Sequence, residues 1–152
     1  MSVNLQRVVG FELGVDSFKS SATIQIPSLQ LHDGYFYCDG KALYLRSARN
    51  KCALMRGFLD ARENSLTLMD IIQIIHGALD DAIMRSMSPR LRACIRINVQ
   101  RMLADTRSLL RARYREHHYL EWLPYSKLED VWFLYRFRDD YVLKNMFAEG
   151  HV

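Results

Sequence analysis

The chain lacks the segments and motifs that define several large classes of protein. No apolar run approaches the roughly 18–20 residues of a membrane helix, and no basic segment followed by an apolar core stands at the N-terminus. There is no glycine-rich phosphate loop, no Ser/His/Asp arrangement and no Cys-x-x-Cys pair. We therefore expect a cytoplasmic protein that is not an enzyme, needs no cofactor and does not enter a membrane.

Residues that bind metals or react with oxidants are few. The three cysteines, Cys38, Cys52 and Cys94, are odd in number and match no paired metal spacing, which favours a reducing compartment. Cys52 and Cys94 stand beside apolar positions of predicted helices, so we expect both to pack in the core. His117 and His118 are adjacent and cannot both face one metal ion from a regular element. We interpret them as solvent-facing and predict no metal site.

Lysine is also scarce, and the distribution of arginine is uneven. Nine of the 16 arginines lie between positions 85 and 115, where Asp105 is the only acid, so the rest of the chain is net acidic. Such asymmetry favours an anionic partner, and arginine suits bidentate contacts to phosphate or guanine. The alternative is a solvated helix face that pairs with acids elsewhere in the chain.

The pattern along the chain predicts strands first, then helices, then a hairpin. Residues 22–45 alternate like strands, with a tight turn at Asp39-Gly40. One helix begins near Ala48, and a second is capped by Thr67 and ends at Gly77. A third begins at Ser88-Pro89 and runs to about residue 114. Residues 118–125 and 131–137 form two aromatic-rich strands of a hairpin. The 152 residues, 49% of them hydrophobic, are enough for one domain with a core.

A helical wheel at 100° per residue gives the third helix two different sides. One is an apolar stripe that we expect to face the core, made of Leu91, Ile95, Val99, Met102 and Leu109. The other is a polar face made of Arg96, Gln100, Arg107 and Arg111, flanked by Arg92 on one side and by Arg90 and Arg101 on the other. Such a helix suits the DNA major groove, where arginine reads guanine and glutamine reads adenine.

The stretch from Leu54 to Gly77 resembles, without a gap, the first two helices of the OmpR/PhoB-type effector domains of bacterial response regulators. The shared features are a leucine-rich helix, a Ser/Thr cap, an apolar run and a closing aromatic-glycine pair. In this chain they correspond to Leu54, Met55, Phe58, Leu59, Leu66, Thr67, Ile71, Ile72, Ile75, His76 and Gly77. YFYCDGKALYLRS is similar to the last N-terminal hairpin of that family, and RLRACIRINVQRML takes the place of its recognition helix.

The resemblance implies an α+β fold, a winged helix-turn-helix with N-terminal β-strands, three helices of which the third is long and Arg-rich, and a C-terminal β-hairpin wing. We assign this domain to residues 22–138, with 1–21 as an N-terminal extension or strand and 139–152 as a tail or short helix. No receiver domain is expected. The implied function is a sequence-specific transcriptional regulator that binds double-stranded DNA as a homodimer and can contact RNA polymerase or another protein. Its candidate DNA-binding residues are Arg90, Arg92, Arg96, Gln100 and Arg101 in the major groove and Arg49, Lys51 and Lys127 on phosphates.

The sequence of the hairpin differs from that of the family, and this difference leaves a second function as an alternative. Its turn carries Glu129 and Asp130, and it lacks the Gly-x-Gly-Tyr ending of the family. The alternative is a winged-helix-like module for protein–protein interaction, an adaptor or dimerisation domain without DNA binding. A dense aromatic band fits a stacking platform, a partner surface or simple core packing: Tyr114, Tyr119, Trp122, Tyr125, Trp132, Phe133, Tyr135 and Phe137.

Overall fold

The computed structural model describes residues 26–77 and 79–139, which form an α+β fold. The helices are α1 (Arg49–Asp60), α2 (Leu68–His76), α3 (Asp81–Ser86) and α4 (Pro89–Arg113). The strands are β1 (Leu29–His32), β2 (Tyr35–Cys38), β3 (Lys41–Tyr44), β4 (Ser65–Leu66), β5 (Leu120–Trp122), β6 (Tyr125–Ser126), β7 (Val131–Phe133) and β8 (Tyr135–Phe137). The predicted extension 1–21 and nearly all of the predicted tail lie outside the described residues.

The N-terminal sheet is an antiparallel meander in the order β1-β2-β3. Its second turn is the predicted Asp39-Gly40 pair, with φ angles of 51° and 85°. Positive φ at both central residues is the type I′ geometry that matches the twist of a two-residue hairpin. The prediction of a hairpin at this position is therefore confirmed.

The C-terminal hairpin is confirmed as well, but its pairing is divided between two small sheets. Strand β7 lies between β6 and β4, so the strand that connects α1 to α2 extends the hairpin. Strands β5 and β8 pair separately. Between the two ladders the amide of Leu134 donates to Asn64 O, and the amide of Leu123 donates to Leu134 O. The hairpin is thus fastened to the chain between α1 and α2, far from it in sequence.

The predicted starts of α2 and α4 are confirmed by side-chain caps. The Thr67 hydroxyl accepts from the amide of Asp70, and the Asp70 carboxylate accepts from the amide of Thr67, so both halves of a capping box are present. Ser88 caps α4, and Pro89 occupies its first turn. These short-range bonds satisfy amides that the first helical turn leaves without partners.

The prediction of three helices is wrong, because the described chain contains four. Helix α3 occupies the segment between Gly77 and Ser88, in which the sequence pattern predicts neither a helix nor a strand. The Asp80 side chain caps it by accepting from the amide of Ile83. A helix of six residues is too short to show a helical period, and it has no fully buried side chain that would mark an apolar face.

The predicted core face of α4 is also partly wrong. The buried residues are Ile95, Val99, Leu103, Thr106 and Leu110, whereas Leu91 and Leu109 are 48% and 39% exposed. The core side is therefore turned by about 40° from the predicted stripe. Helix α2 and strand β5 contact α4, and Leu103 and Leu110 belong to the core cluster, so tertiary packing determines which side of α4 is buried. None of the described helices, α4 included, combines the length and apolar character needed to cross a membrane.

Candidate nucleic-acid interface

A groove of about 370 Å³ lies where the starts of α2 and α4 meet α3 and the tip of the hairpin. Its floor is apolar and its rim is charged. The lining residues are Thr67, Leu68, Met69, Ile72, Asp81, Met84, Arg85, Arg92, Arg96 and Asp130. Two of the predicted DNA-binding residues, Arg92 and Arg96, therefore share one site, and Arg85 joins them.

These three arginines have no carboxylate partner within the described part of the chain. Its ion pairs join other residues, such as Lys41 with Glu116 and Arg46 with Asp33. The carboxylates of Asp81 and Asp130 line the same groove but lie beyond ion-pair distance of the arginines. The groove thus presents cationic side chains beside two acids that oppose an anionic ligand.

The remaining predicted residues of α4 lie around the exposed side of the helix. Arg90, Gln100 and Arg101 are all exposed. On the helical wheel, Arg90 and Arg101 point away from the core, about 120° or more from Arg96, and Gln100 lies between the two sets. A duplex that contacts Arg96, Gln100 and Arg101 together would have to reach around α4 through the angle that separates Arg96 from Arg101.

The three residues predicted to hold phosphates are dispersed. Arg49 and Lys51 lie in the first turn of α1, exposed and half-buried respectively, and neither lines the groove. Lys127 is exposed in the four-residue turn between β6 and β7. Asp130 of that turn lines the groove, whereas Lys127 does not.

Two arginines of the basic segment bind the protein itself. Arg107, which we predicted to lie on the open polar face, is half-buried and donates to the carbonyl oxygens of Trp122 and Leu123. Arg113 donates to the carbonyl oxygen of Ala42 at 2.6 Å. The C-terminal half of α4 is therefore fastened to both the hairpin and the N-terminal sheet through these two arginines, whereas no arginine in the N-terminal half has an ion-pair partner in the described residues.

A hydrogen bond between Tyr125 and Asp130 closes the tip of the hairpin. The Tyr125 hydroxyl donates to Asp130 at 2.6 Å, and this bond raises the pKa of Tyr125. The Tyr125 ring packs on Trp132 with centroids 4.6 Å apart. Asp130 therefore accepts a hydrogen bond from within the hairpin while lining the groove.

Part of the aromatic band belongs to the core, one of the three interpretations left open by the sequence. Tyr114 and Trp122 are buried, and their rings lie 5.8 Å apart beside Phe36. The Tyr114 hydroxyl lies 2.8 Å from Lys41 O and 3.2 Å from Phe36 O. Burial is the main cause that raises the pKa of this hydroxyl above its ordinary value. These contacts pack the end of α4 against the turn of the N-terminal sheet.

A second cluster of chemically reactive side chains lies at that turn. Cys38, Asp39 and His117 each offer one potential ligand atom, and these three atoms all lie within 4.8 Å of one another. The prediction that His117 faces solvent is wrong, because this residue is only 8% exposed, although His118 is exposed as predicted. The prediction that Cys94 packs in the core is also wrong, since Cys94 is exposed.

Sequence reasoning missed the groove floor, Arg85 as a site residue, and the Cys38–Asp39–His117 cluster. Arg85 stands in the basic segment and could have been included on charge alone. The cluster has no local sequence pattern, because its two halves are 78 residues apart.

No protein-family profile, curated protein or solved structure matches this chain.

Proposed function

We propose that the protein is a DNA-binding transcriptional regulator of winged-helix type, with α4 as its recognition helix. The proposal is carried by one observation. None of the arginines in the N-terminal half of α4 has a carboxylate partner in the described chain. Arg92 and Arg96 stand at the groove, and Arg90 and Arg101 stand on the exposed side. Arginines without a carboxylate partner among the described residues are available for phosphate or base edges.

The topology supports the same proposal. The order β4-β7-β6 makes the hairpin continue the strand between α1 and α2. This pairing holds the hairpin tip against the start of α4, where Asp130 and the two arginines line one groove. A recognition helix with a hairpin beside it is the arrangement implied by the resemblance to OmpR/PhoB-type effector domains. A non-enzymatic, cytoplasmic role is part of this proposal.

The proposal is tested by the salt dependence of binding to random-sequence duplex DNA, followed by fluorescence anisotropy. With about five cationic contacts, affinity should fall by about two to three orders of magnitude between about 50 and 200 mM salt. The double variant Arg92→Gln/Arg96→Gln should lower the slope of log affinity against log salt by about two.

The matched control is Arg111→Gln/Arg115→Gln, which removes the same charge in the last turn of α4 and in the 3-10 turn that follows it. It should leave the slope nearly unchanged. Absence of binding at low salt, or equal losses in both double variants, would contradict the DNA-binding function. Once a preferred site has been selected, Gln100→Ala should relax its specificity with little change in non-specific affinity.

A homodimer is part of the proposal, and its contact is the outer side of α4. Arg90 and Arg101 lie on the same side, so a dimer formed there takes them out of contact with DNA. Leu91 and Ile97 are 48% and 50% exposed there, with Cys94 exposed between them. Exposed apolar side chains on a helix are suited to contact with a second copy. Ile97→Glu should shift the sedimentation coefficient from that of a dimer to that of a monomer. A wild-type chain that sediments as a monomer at micromolar concentration would contradict this part.

The alternative, a protein–protein interaction module, is favoured by the groove itself. Its floor of Leu68, Met69, Ile72 and Met84 is apolar, and its rim carries both signs of charge. A mixed rim around an apolar centre is the ordinary composition of a protein interface. Binding of a partner protein that Met84→Glu abolishes, together with no salt-dependent DNA affinity, would establish this function instead.

A further inference from the structure

The strongest unassigned chemistry in the described residues lies at the turn between β2 and β3, next to the C-terminal end of α4, whereas the arginine groove is at its N-terminal end. Cys38 ends β2, and Asp39 begins the turn. His117 belongs to the short 3-10 turn that follows α4. The Nε2 atom of His117 lies 2.9 Å from the Oδ2 atom of Asp39. A thiol, a carboxylate and an imidazole thus converge from two distant parts of the chain.

One atom of this cluster has no hydrogen-bond partner. The Nδ1 atom of His117 is buried, and nothing in the described residues pairs with it. The nearest carboxylate oxygen, Oε2 of Glu116, is 3.9 Å away, too far for a hydrogen bond. Buried polar atoms are nearly always paired, so an orphaned imidazole nitrogen calls for a specific explanation.

We propose that Cys38, Asp39 and His117 form a Zn²⁺ site that fastens the turn of the N-terminal sheet to the end of α4. Thiolate sulfur, imidazole nitrogen and carboxylate oxygen are the three ligand types that Zn²⁺ accepts, and ligand atoms within 4.8 Å of one another can surround one ion. Mg²⁺ and Ca²⁺ are disfavoured, because only one of the three ligands is an oxygen donor. The side chain of Asp39 is 44% exposed, which leaves a fourth position open to water.

Coordination through Nε2 gives the orphaned nitrogen Nδ1 a defined role as a proton donor, although it does not itself supply the acceptor. When Nε2 binds the metal, the ring proton resides on Nδ1, which then needs an acceptor. Glu116 is the acceptor within reach after a small rotation, and its carboxylate is already held by Lys41 at 3.0 Å. Glu116 is therefore a positioning residue for His117.

Binding is balanced by the loss of one proton. The S–H bond of Cys38 breaks as the Zn–S bond forms, and the thiol proton passes to solvent. The imidazole keeps its single proton, which moves from one ring nitrogen to the other. No oxidant or reductant is involved, and the site does not depend on the proposed DNA binding.

The test is a Co²⁺ titration of the full chain, stripped of metal and kept reduced, followed by Zn²⁺ competition. Co²⁺ bound at this site should show a near-ultraviolet thiolate charge-transfer band that saturates at one equivalent, and Zn²⁺ should abolish it. Cys38→Ser and His117→Gln should lose the band. Cys94→Ser and His118→Gln are the matched controls and should keep it. Glu116→Gln should weaken Zn²⁺ affinity about 10–100-fold.

Asp39→Asn keeps the experiment decisive if the variants of the two buried ligands fail to fold. Asn adopts a positive φ readily, and its side-chain oxygen can still accept from the amide of Ser28 as Asp39 does at 2.7 Å. This variant should fold, as judged by circular dichroism, and should bind Co²⁺ much more weakly. Absence of a thiolate band in the wild-type chain would overturn the proposal. A band of full strength in Cys38→Ser or Asp39→Asn would overturn it as well.

Discussion

The guanidinium group of Arg107 binds the backbone carbonyl oxygen of Leu123, with Nη2 2.7 Å from the oxygen. Its Nε atom also donates to Trp122 O at 3.2 Å. Burial, followed by the charge of Arg111, lowers the pKa of Arg107. A half-buried cation that keeps two carbonyl partners ties the middle of α4 to the end of β5.

Replacing this cation should destabilise the fold. Arg107→Ala should lower the free energy of unfolding by about 1.5–3 kcal/mol, because hydrogen bonds from a charged donor to buried carbonyls are lost. Urea denaturation measures the change. Arg111→Ala, one turn further along and exposed, should change the stability by no more than about 0.5 kcal/mol. Equal losses in the two variants would show that Arg107 has no special structural role.

The capping box of α2 should contribute measurably to stability. Thr67→Ala removes the hydroxyl that accepts from the amide of Asp70 at 3.1 Å. We expect a loss of about 1 kcal/mol, measured by urea denaturation. Thr67→Ser retains the acceptor and should restore most of the loss. If serine were as destabilising as alanine, the methyl group and not the cap would be responsible.

The two hairpin turns of the N-terminal sheet should differ in their tolerance of alanine. Gly40 has a φ of 85° and open space where a Cβ would stand, so Gly40→Ala should cost about 1–2 kcal/mol from its left-handed backbone alone. Gly34 has a similar φ, but a Cβ there would lie 2.8 Å from Cβ of Arg46 and 3.1 Å from its Cα. Gly34→Ala should therefore lower the melting temperature more than Gly40→Ala does. The reverse order would contradict the packing of Arg46 on this turn.

The three thiols should react at different rates in the metal-free native protein. Cys94 is exposed and Cys52 is half-buried, whereas Cys38 is buried. Burial, together with the charges of Asp39 and Glu116, raises the pKa of the Cys38 thiol to about 12. At about pH 8, a disulfide reagent should label Cys94 first, Cys52 more slowly and Cys38 only after unfolding in urea. The Cys94→Ser variant should lack the fast phase, and rapid labelling of Cys38 would contradict its burial.

Much of the secondary structure could be predicted from the sequence, because its determinants are local. Thr67 with Asp70, and Ser88 with Pro89, mark helix starts through bonds and backbone angles within four residues. The Asp39-Gly40 pair marks a turn for the same reason. Helix α3 could not be predicted, because a segment of six residues is too short for hydrophobic periodicity to distinguish a helix from a loop.

The candidate site was only partly predictable. Arg92 and Arg96 were named from charge and helical period, and the fold brings them into one groove with Arg85. Periodicity alone could not show that Arg107 turns back onto Leu123, because that contact depends on where the hairpin packs.

The sequence by itself determined the order of strands, long helices and C-terminal hairpin, the caps of α2 and α4, the Asp39-Gly40 turn, and the concentration of arginine in one helix. These features follow from interactions between near neighbours and from composition. Only the tertiary structure decided which side of α4 is buried, which arginines stay free, and that His117 meets Asp39 across 78 residues. Those outcomes depend on the packing of α2, the hairpin and the N-terminal sheet around α4, and contacts between residues so far apart leave no periodic trace in the chain.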